Sequence, residues 1–184
     1  MATTPPKFWL FRLIDRLSRP AILAVLMFVY LMFPLCLFPA AAGGSKQMLL
    51  DLMFAYTPAE AYALLAAAGP VGREVYALQT LPMDVAYSVS YSFMFSVWLS
   101  LLLRDRTRFY RALSMLPFVI FAFDTIENSG IALLLANYPR ELYWLALATS
   151  VATTVKWLFA WPVILLSIGL SIWRGGQFLL SARK

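Results

Sequence analysis

The chain has 184 residues, of which 62% are hydrophobic, 16% aromatic and 13% charged, with a net charge of +6. Soluble domains run to about 45–50% apolar and ~25% charged residues, so this composition excludes an ordinary soluble protein and indicates one membrane domain over residues 1–184. Histidine is absent, which excludes His-based metal sites and the commonest proton shuttle; no metal site is expected and no motif names a cofactor.

The predicted fold class is all-α: a polytopic membrane protein of four transmembrane helices, with an amphipathic N-terminal interfacial helix and a helical extracytoplasmic insertion between the first two spans. In residues 1–20, Arg12, Arg16 and Arg19 share one helical face and Leu10, Leu13, Ile14 and Leu17 the other. With Phe8, Trp9 and Phe11 this reads as a helix lying in the membrane interface. The first span covers 21–42, since ~20 helical residues cross a hydrocarbon core of about 30 Å. Basic residues followed by an apolar run and Ala40-Ala41-Ala42 resemble a signal peptide, but the run exceeds the usual ~7–15 residues, so an uncleaved helix is expected. Cys36, the single cysteine, falls within this run and reads as packing.

Residues 43–80 read as an extracytoplasmic helical lid. Gly43-Gly44-Ser45 breaks the first helix. Thr57-Pro58-Ala59-Glu60 predicts a helix start, with Thr57 as N-cap, Pro58 at the first position and Glu60 closing a capping box. Gly69-Pro70 ends that helix, and a short helical stretch from Gly72 to Gln79 leads to Pro82. Leu49, Leu50, Leu52, Met53, Phe54, Leu64 and Leu65 are too apolar for a free loop, so the segment is expected to pack across the outer end of the bundle.

The remaining spans cover 81–103, 112–136 and 142–173. The last is long enough to tilt or project from the bilayer, and Pro117 and Pro162 read as kinks. Lys7, Arg12, Arg16 and Arg19 precede the first span; Arg104, Arg106, Arg108 and Arg111 link the second and third; Arg174, Arg183 and Lys184 follow the fourth. The other side carries only Lys46, Arg73 and Arg140. The positive-inside rule then places both termini in the cytoplasm, and a bacterial inner membrane is the expected location. Basic residues placed beside apolar runs are topology signals, so nucleic acid is not an expected partner.

Asp124, Glu127, Asn128 and Lys156 lie inside these apolar spans and Asp84 at the mouth of one. A charge at mid-bilayer costs at least ~2.5–3.5 kcal/mol, so such residues are rare and usually functional or paired. At 1.5 Å per residue, Asp124, Glu127 and Asn128 lie roughly 20–26 Å beyond Arg111, Lys156 roughly 27 Å before Arg174, and Asp84 roughly 30 Å before Arg104. All therefore meet in the outer half of the bilayer. Asp124, Glu127 and Asn128 share one helix face. So do Asp84, Tyr87 or Ser88, and Tyr91 on the second span, and Thr149, Thr153 and Lys156 on the fourth. Three carboxyls facing one lysine should leave one carboxyl protonated or a cation bound.

Asp124 and Glu127 are thus the candidate catalytic acid–base residues. Asp84, Tyr87, Tyr91, Asn128, Thr153, Lys156 and Trp157 are the candidate ligand-binding residues, with Lys156 paired to Glu127 or Asp124. The plain alternative is a satisfied polar network that only holds the helices together. Ser88, Ser90, Ser92, Ser96 and Ser100 read as small residues for close helix contact.

With the run Phe123-Asp124-Thr125-Ile126-Glu127-Asn128, the stretch Thr57-Pro58-Ala59-Glu60-Ala61-Tyr62 and Lys156-Trp157 in view, the chain resembles a family of small bacterial four-helix membrane proteins with a D-x-x-E-N third helix. The resemblance runs from Thr57 to Trp173 and implies an architecture, not an activity. More loosely, intramembrane carboxylates beneath an outer insertion resemble the sterol-isomerase and sigma-2 receptor group, without its His and without an acidic residue in the first span; that likeness is one of architecture alone.

Three functions fit. The first is a pocket binding a small amphiphile or membrane lipid, with acid–base chemistry at Asp124 or Glu127, Asp84 at the entrance and residues 48–79 as lid. The second is an accessory or assembly subunit of a larger membrane complex, or a homo-oligomer. The third is proton- or cation-coupled transport, against which stands the lack of ionisable residues in the cytoplasmic half of every span.

Overall fold

The structure, a computed structural model, describes residues 9–41, 50–107 and 111–181. Ala42, Gly43-Gly44-Ser45, Lys46, Met48, Leu49, Lys7, Phe8, Arg108, Arg183 and Lys184, which the sequence reading used, lie outside the described residues. All elements among the described residues are helical. Four helices are long and apolar enough to cross a membrane: Pro20–Leu37, Gly69–Leu102, Leu113–Asn137 and Tyr143–Ser181.

The first helix, α1 (Trp9–Leu17), buries Phe11 and Ile14 and leaves Arg12 and Arg16 exposed. It is docked on the bundle as well as amphipathic. Asp15 accepts from Arg111 at 2.7 Å, and the Arg104 guanidinium donates to the Ser18 carbonyl. Arg19 is extended (φ −128°, ψ 140°) because the ring of Pro20 excludes the helical region for the residue before it. Pro20 then opens α2 (Pro20–Met32), which passes through a π turn (Phe33–Leu37) into α3 (Phe38–Ala41).

After a 3-10 turn (Leu50–Leu52) come α4 (Pro58–Ala67) and α5 (Gly69–Val75). The capping box expected at Thr57 is formed: the Glu60 N–H donates to Thr57 Oγ1 at 3.2 Å, and the Thr57 N–H donates to Glu60 Oε2 at 2.7 Å. Those bonds hold the Glu60 carboxyl below its ordinary value. A depressed carboxyl contributes stability above its unfolded pKa and loses it as pH falls through the folded one, so the start of α4 loosens only in acid. Thr57→Ala is expected to cost about 0.5–2 kcal/mol, read from the thermal midpoint at neutral pH. Gly69 ends α4 at φ +65°, a left-handed value open to glycine without strain.

A second π turn (Tyr76–Thr80) joins α5 to α6 (Leu81–Leu102), so the short helical stretch Gly72–Gln79, assigned to the lid, is continuous with the second span. Both π turns have the same cause. Pro39 and Pro82 lack an N–H, and their rings would strike the carbonyls of Leu35 and Leu78, which lie inside these turns. Widening the turn clears the ring, and the next amides reach back five residues, Phe38 to Phe33 and Leu81 to Tyr76.

A 3-10 turn (Leu113–Met115) precedes α7 (Leu116–Asn137), which puts Pro117 in the first turn of the helix, where its missing N–H costs nothing. The expected kink there is replaced by a helix start. Pro162 does lie inside a helix, α8 (Tyr143–Ser181), whose 39 residues make it roughly 58 Å long. The helix runs beyond the expected end at Trp173.

Along the bundle the side chains sort into layers. At the end carrying α4 and α5, an apolar core unites Leu50, Tyr62, Leu65, Tyr76, Leu81, Ile131, Leu134 and Ala146. Toward the arginine-bearing end a second core holds Met94, Phe95, Leu99, Leu103, Ile120 and Val163. Between them on α6, α7 and α8 lie the polar residues. Ser88, Ser92, Ser96 and Ser100 are buried along one stripe of α6, as close helix packing requires.

Candidate functional site

The polar layer is one connected chain of side chains. Lys156 Nζ lies 3.0 Å from Asp124 Oδ1 and is also paired with the Glu127 carboxylate. Thr153 Oγ1 donates to Glu127 Oε1 at 2.7 Å. Asn128 Nδ2 donates to Asp84 Oδ2 at 2.7 Å and reaches Asp124 Oδ2 at 3.4 Å. The order Asp84–Asn128–Asp124–Lys156–Glu127–Thr153 thus crosses from α6 through α7 to α8. Helical periodicity makes this possible: Asp124, Glu127 and Asn128 share one face of α7, and Thr153 and Lys156 share one of α8. All six residues are buried, Glu127 completely.

A close approach of the helices sets the register. The Gly130 backbone lies against Thr149, so that a Cβ at 130 would overlap the Thr149 hydroxyl. Gly130 is three residues beyond Glu127 and Thr149 four before Thr153, so this contact lies about one turn from the Glu127–Thr153 bond.

The stretch from Leu50 to Tyr56 adds a fourth side to the layer. The Asp51 carbonyl accepts from Lys156 Nζ at 3.3 Å and from Trp157 Nε1 at 3.2 Å. Thr154 donates to the Phe54 carbonyl at 2.9 Å, and the Tyr56 N–H donates to Ser150 Oγ at 3.0 Å. Burial pushes the Tyr56 phenol well above its ordinary value, so it stays neutral. Asp51 itself is buried and accepts from the Tyr76 hydroxyl at 3.0 Å. This strap is thereby bonded to successive turns of α8.

Beneath the strap lies a cavity of about 190 Å³. Asp51, Asp84, Asp124 and Lys156 are its charged lining residues; the others are aromatic or aliphatic, among them Tyr30, Tyr87, Tyr91, Phe95 and Trp157. Tyr30 stacks on Tyr87 with ring centroids 5.3 Å apart, and Tyr91 meets the Tyr87 ring edge-on at 5.5 Å. Of the residues singled out in the sequence, Asp84, Tyr87, Tyr91, Asp124, Lys156 and Trp157 line this cavity. Glu127, Asn128 and Thr153 do not line it: Asn128 bonds Asp84 and Asp124, Glu127 pairs with Lys156, and Thr153 bonds Glu127.

Compared with protein-family models, with curated proteins and with solved structures, the chain matches none. What the site does is therefore decided by its own geometry.

Asp51 is the acidic residue that the sequence reading left out. Its signal was a carboxylate inside the apolar run Leu49-Leu50-Asp51-Leu52-Met53-Phe54. Tyr30 carried no signal at all, being one aromatic among many in the first span. With Asp51 included, four carboxyls (Asp51, Asp84, Asp124 and Glu127) face the single ammonium of Lys156. A low-dielectric site disfavours an unrelieved excess of negative charge.

Proposed function

We propose that the chain is a multi-pass protein of a bacterial inner membrane, with both termini in the cytoplasm and the strap and α4–α5 outside, that binds a small amphiphile or lipid in the cavity beneath the strap. Asp124 is the acid–base group, because it alone joins the cavity wall, Lys156 and the Asn128 bridge to Asp84. Lys156 holds Asp124 in place, and Glu127 and Thr153 hold Lys156. The observation that carries this reading is the meeting of a buried ionic chain with an aromatic-lined cavity. A network serving packing alone would be closed on all sides.

Native mass spectrometry of the protein extracted gently from its own membrane tests it. A stoichiometric non-protein adduct is expected in the wild type and lost in Asp124→Asn, with the fold unchanged. A bare polypeptide in both would sink the reading.

A second reading, an accessory subunit of a larger membrane complex, draws support from α2, which has no buried residue. Val25, Phe28 and Leu31 are exposed on it and suit a partner helix as well as lipid. The same spectra would then show a larger protein assembly and no adduct. Transport has less support: the apolar core of Met94, Phe95, Leu99, Leu103, Ile120 and Val163 lies between the ionic layer and the arginine-bearing end.

A further inference from the structure

The cavity's donors and acceptors are unequally used, and this bears on the ligand that the reading above assigns to it. Lys156 has three N–H groups and three acceptors already: Asp124 Oδ1 at 3.0 Å, the Glu127 carboxylate and the Asp51 carbonyl at 3.3 Å. The Trp157 indole N–H is spent on the same Asp51 carbonyl at 3.2 Å. The Asn128 amide is spent on Asp84 and Asp124, and the Tyr76 hydroxyl on Asp51 Oδ1.

An entering anion would find no free charged donor there. The buried Tyr91 hydroxyl has no partner among the described residues and is a neutral donor; the charged groups in excess are acids. Asp51, Asp84 and Asp124 all border the cavity, and no residue other than Lys156 on that border is cationic. Buried Asn128 Oδ1 has no donor among the described residues, beside two of these acids. The rings of Tyr30, Tyr87 and Tyr91 line the same cavity, Tyr87 and Tyr91 one and two turns along α6 from Asp84, and aromatic faces carry negative charge density. A cavity bordered by both carboxylates and aromatic rings favours a desolvated cation.

We propose that the polar end of the bound amphiphile is an organic ammonium group, seated in the cavity against Asp84 and Asp124 and beside the Tyr30, Tyr87 and Tyr91 rings. This rests on the ligand-binding reading of the cavity. It relieves the charge imbalance of the layer without disturbing the Lys156 contacts. A volume of about 190 Å³ suits an ammonium head and the first carbons of a chain, the remainder lying in lipid. The ammonium can belong to a free amphiphilic amine or to the choline head of a phospholipid.

Three amphiphiles with the same tail distinguish the head: octyltrimethylammonium, octane-1-sulfonate and octan-1-ol, titrated calorimetrically against the full chain in dodecyl maltoside micelles, with protein-free micelles subtracted. Octyltrimethylammonium is expected to saturate at one site and to bind at least about tenfold tighter than either of the others. Asp84→Asn should weaken it by about tenfold, since asparagine keeps the acceptor for Asn128 and removes only the charge. Tyr87→Leu, which leaves the ionic chain intact, should weaken it several-fold.

Equal or tighter binding of the sulfonate or the alcohol would overturn the ammonium assignment and leave a ligand pocket standing. So would unchanged affinity in both variants when each is folded. If none of the three binds and native spectra show no adduct, the pocket reading fails and this inference with it. Adding phosphatidylcholine to the micelles separates the sources: competition with octyltrimethylammonium assigns the site to the choline head, and unchanged affinity assigns it to a free amine.

Discussion

Lys156→Met is expected to lower the stability of the protein by about 3–5 kcal/mol, the cost of leaving buried carboxylates without their counter-charge. Methionine keeps the volume and the apolar stem, so the loss reports the ammonium and not a cavity. Two carboxylates lose their partner at once, Asp124 and Glu127, both buried. The Asp51 carbonyl loses one of its two donors, so the strap is held at that point by Trp157 alone.

The effect should therefore be local as well as global. Amide hydrogen exchange along residues 50–56 should rise in the variant before α7 and α8 lose protection. Removing the stranded charges should restore most of the loss: Lys156→Met with Glu127→Gln and Asp124→Asn is expected to unfold near the wild-type temperature in the same micelles. If the single variant unfolds within a degree or two of wild type, Lys156 is not the hub of the layer.

Gly130→Ala comes next, at about 1–3 kcal/mol, the usual cost of forcing a methyl into a packed interface. The new Cβ would overlap Thr149 Oγ1 and lie 3.0 Å from the Thr149 Cβ. A rotamer change moves the hydroxyl but not the Cβ, so α7 and α8 must separate. The separation falls about one turn from the Thr153–Glu127 bond, so ligand affinity should fall together with stability. Thr149→Gly in the same chain clears the obstruction and is expected to recover both. A thermal midpoint for Gly130→Ala equal to wild type would show that the helices do not approach so closely in the membrane.

The site was legible in proportion to its helical periodicity. Asp124, Glu127 and Asn128 could be placed on one face because helical residues three and four apart are neighbours. The same spacing put Thr153 and Lys156 together, and their agreement in depth joined them across the bundle. The capping box at Thr57–Glu60 was legible because all its bonds are made within four residues. Local rules were also misleading in places. Pro117 read as a kink, yet a proline in a helix's first turn needs no kink, and the 3-10 turn before it is what makes that position first. The lid was expected to end at residue 80, yet the π turn makes Gly72–Gln79 continuous with the second span.

Composition and apolar run length by themselves determined an all-helical chain with four helices able to cross a membrane, and charge within those runs marked the level of the polar layer. Both follow from short-range physics: an apolar solvent demands internal backbone hydrogen bonding, and it penalises every isolated charge. Only the tertiary structure decided which carboxylates reach a cavity. Asp84 and Asp124 border it while Glu127 does not, although Asp124 and Glu127 share a face of α7; the difference lies in what packs opposite each. Asp51 belongs to the site through contacts with Lys156 and Trp157, more than a hundred residues away. The strap has no helical period from which such partners could be read, because its place is set by which donors on α8 its carbonyls meet when the chain closes.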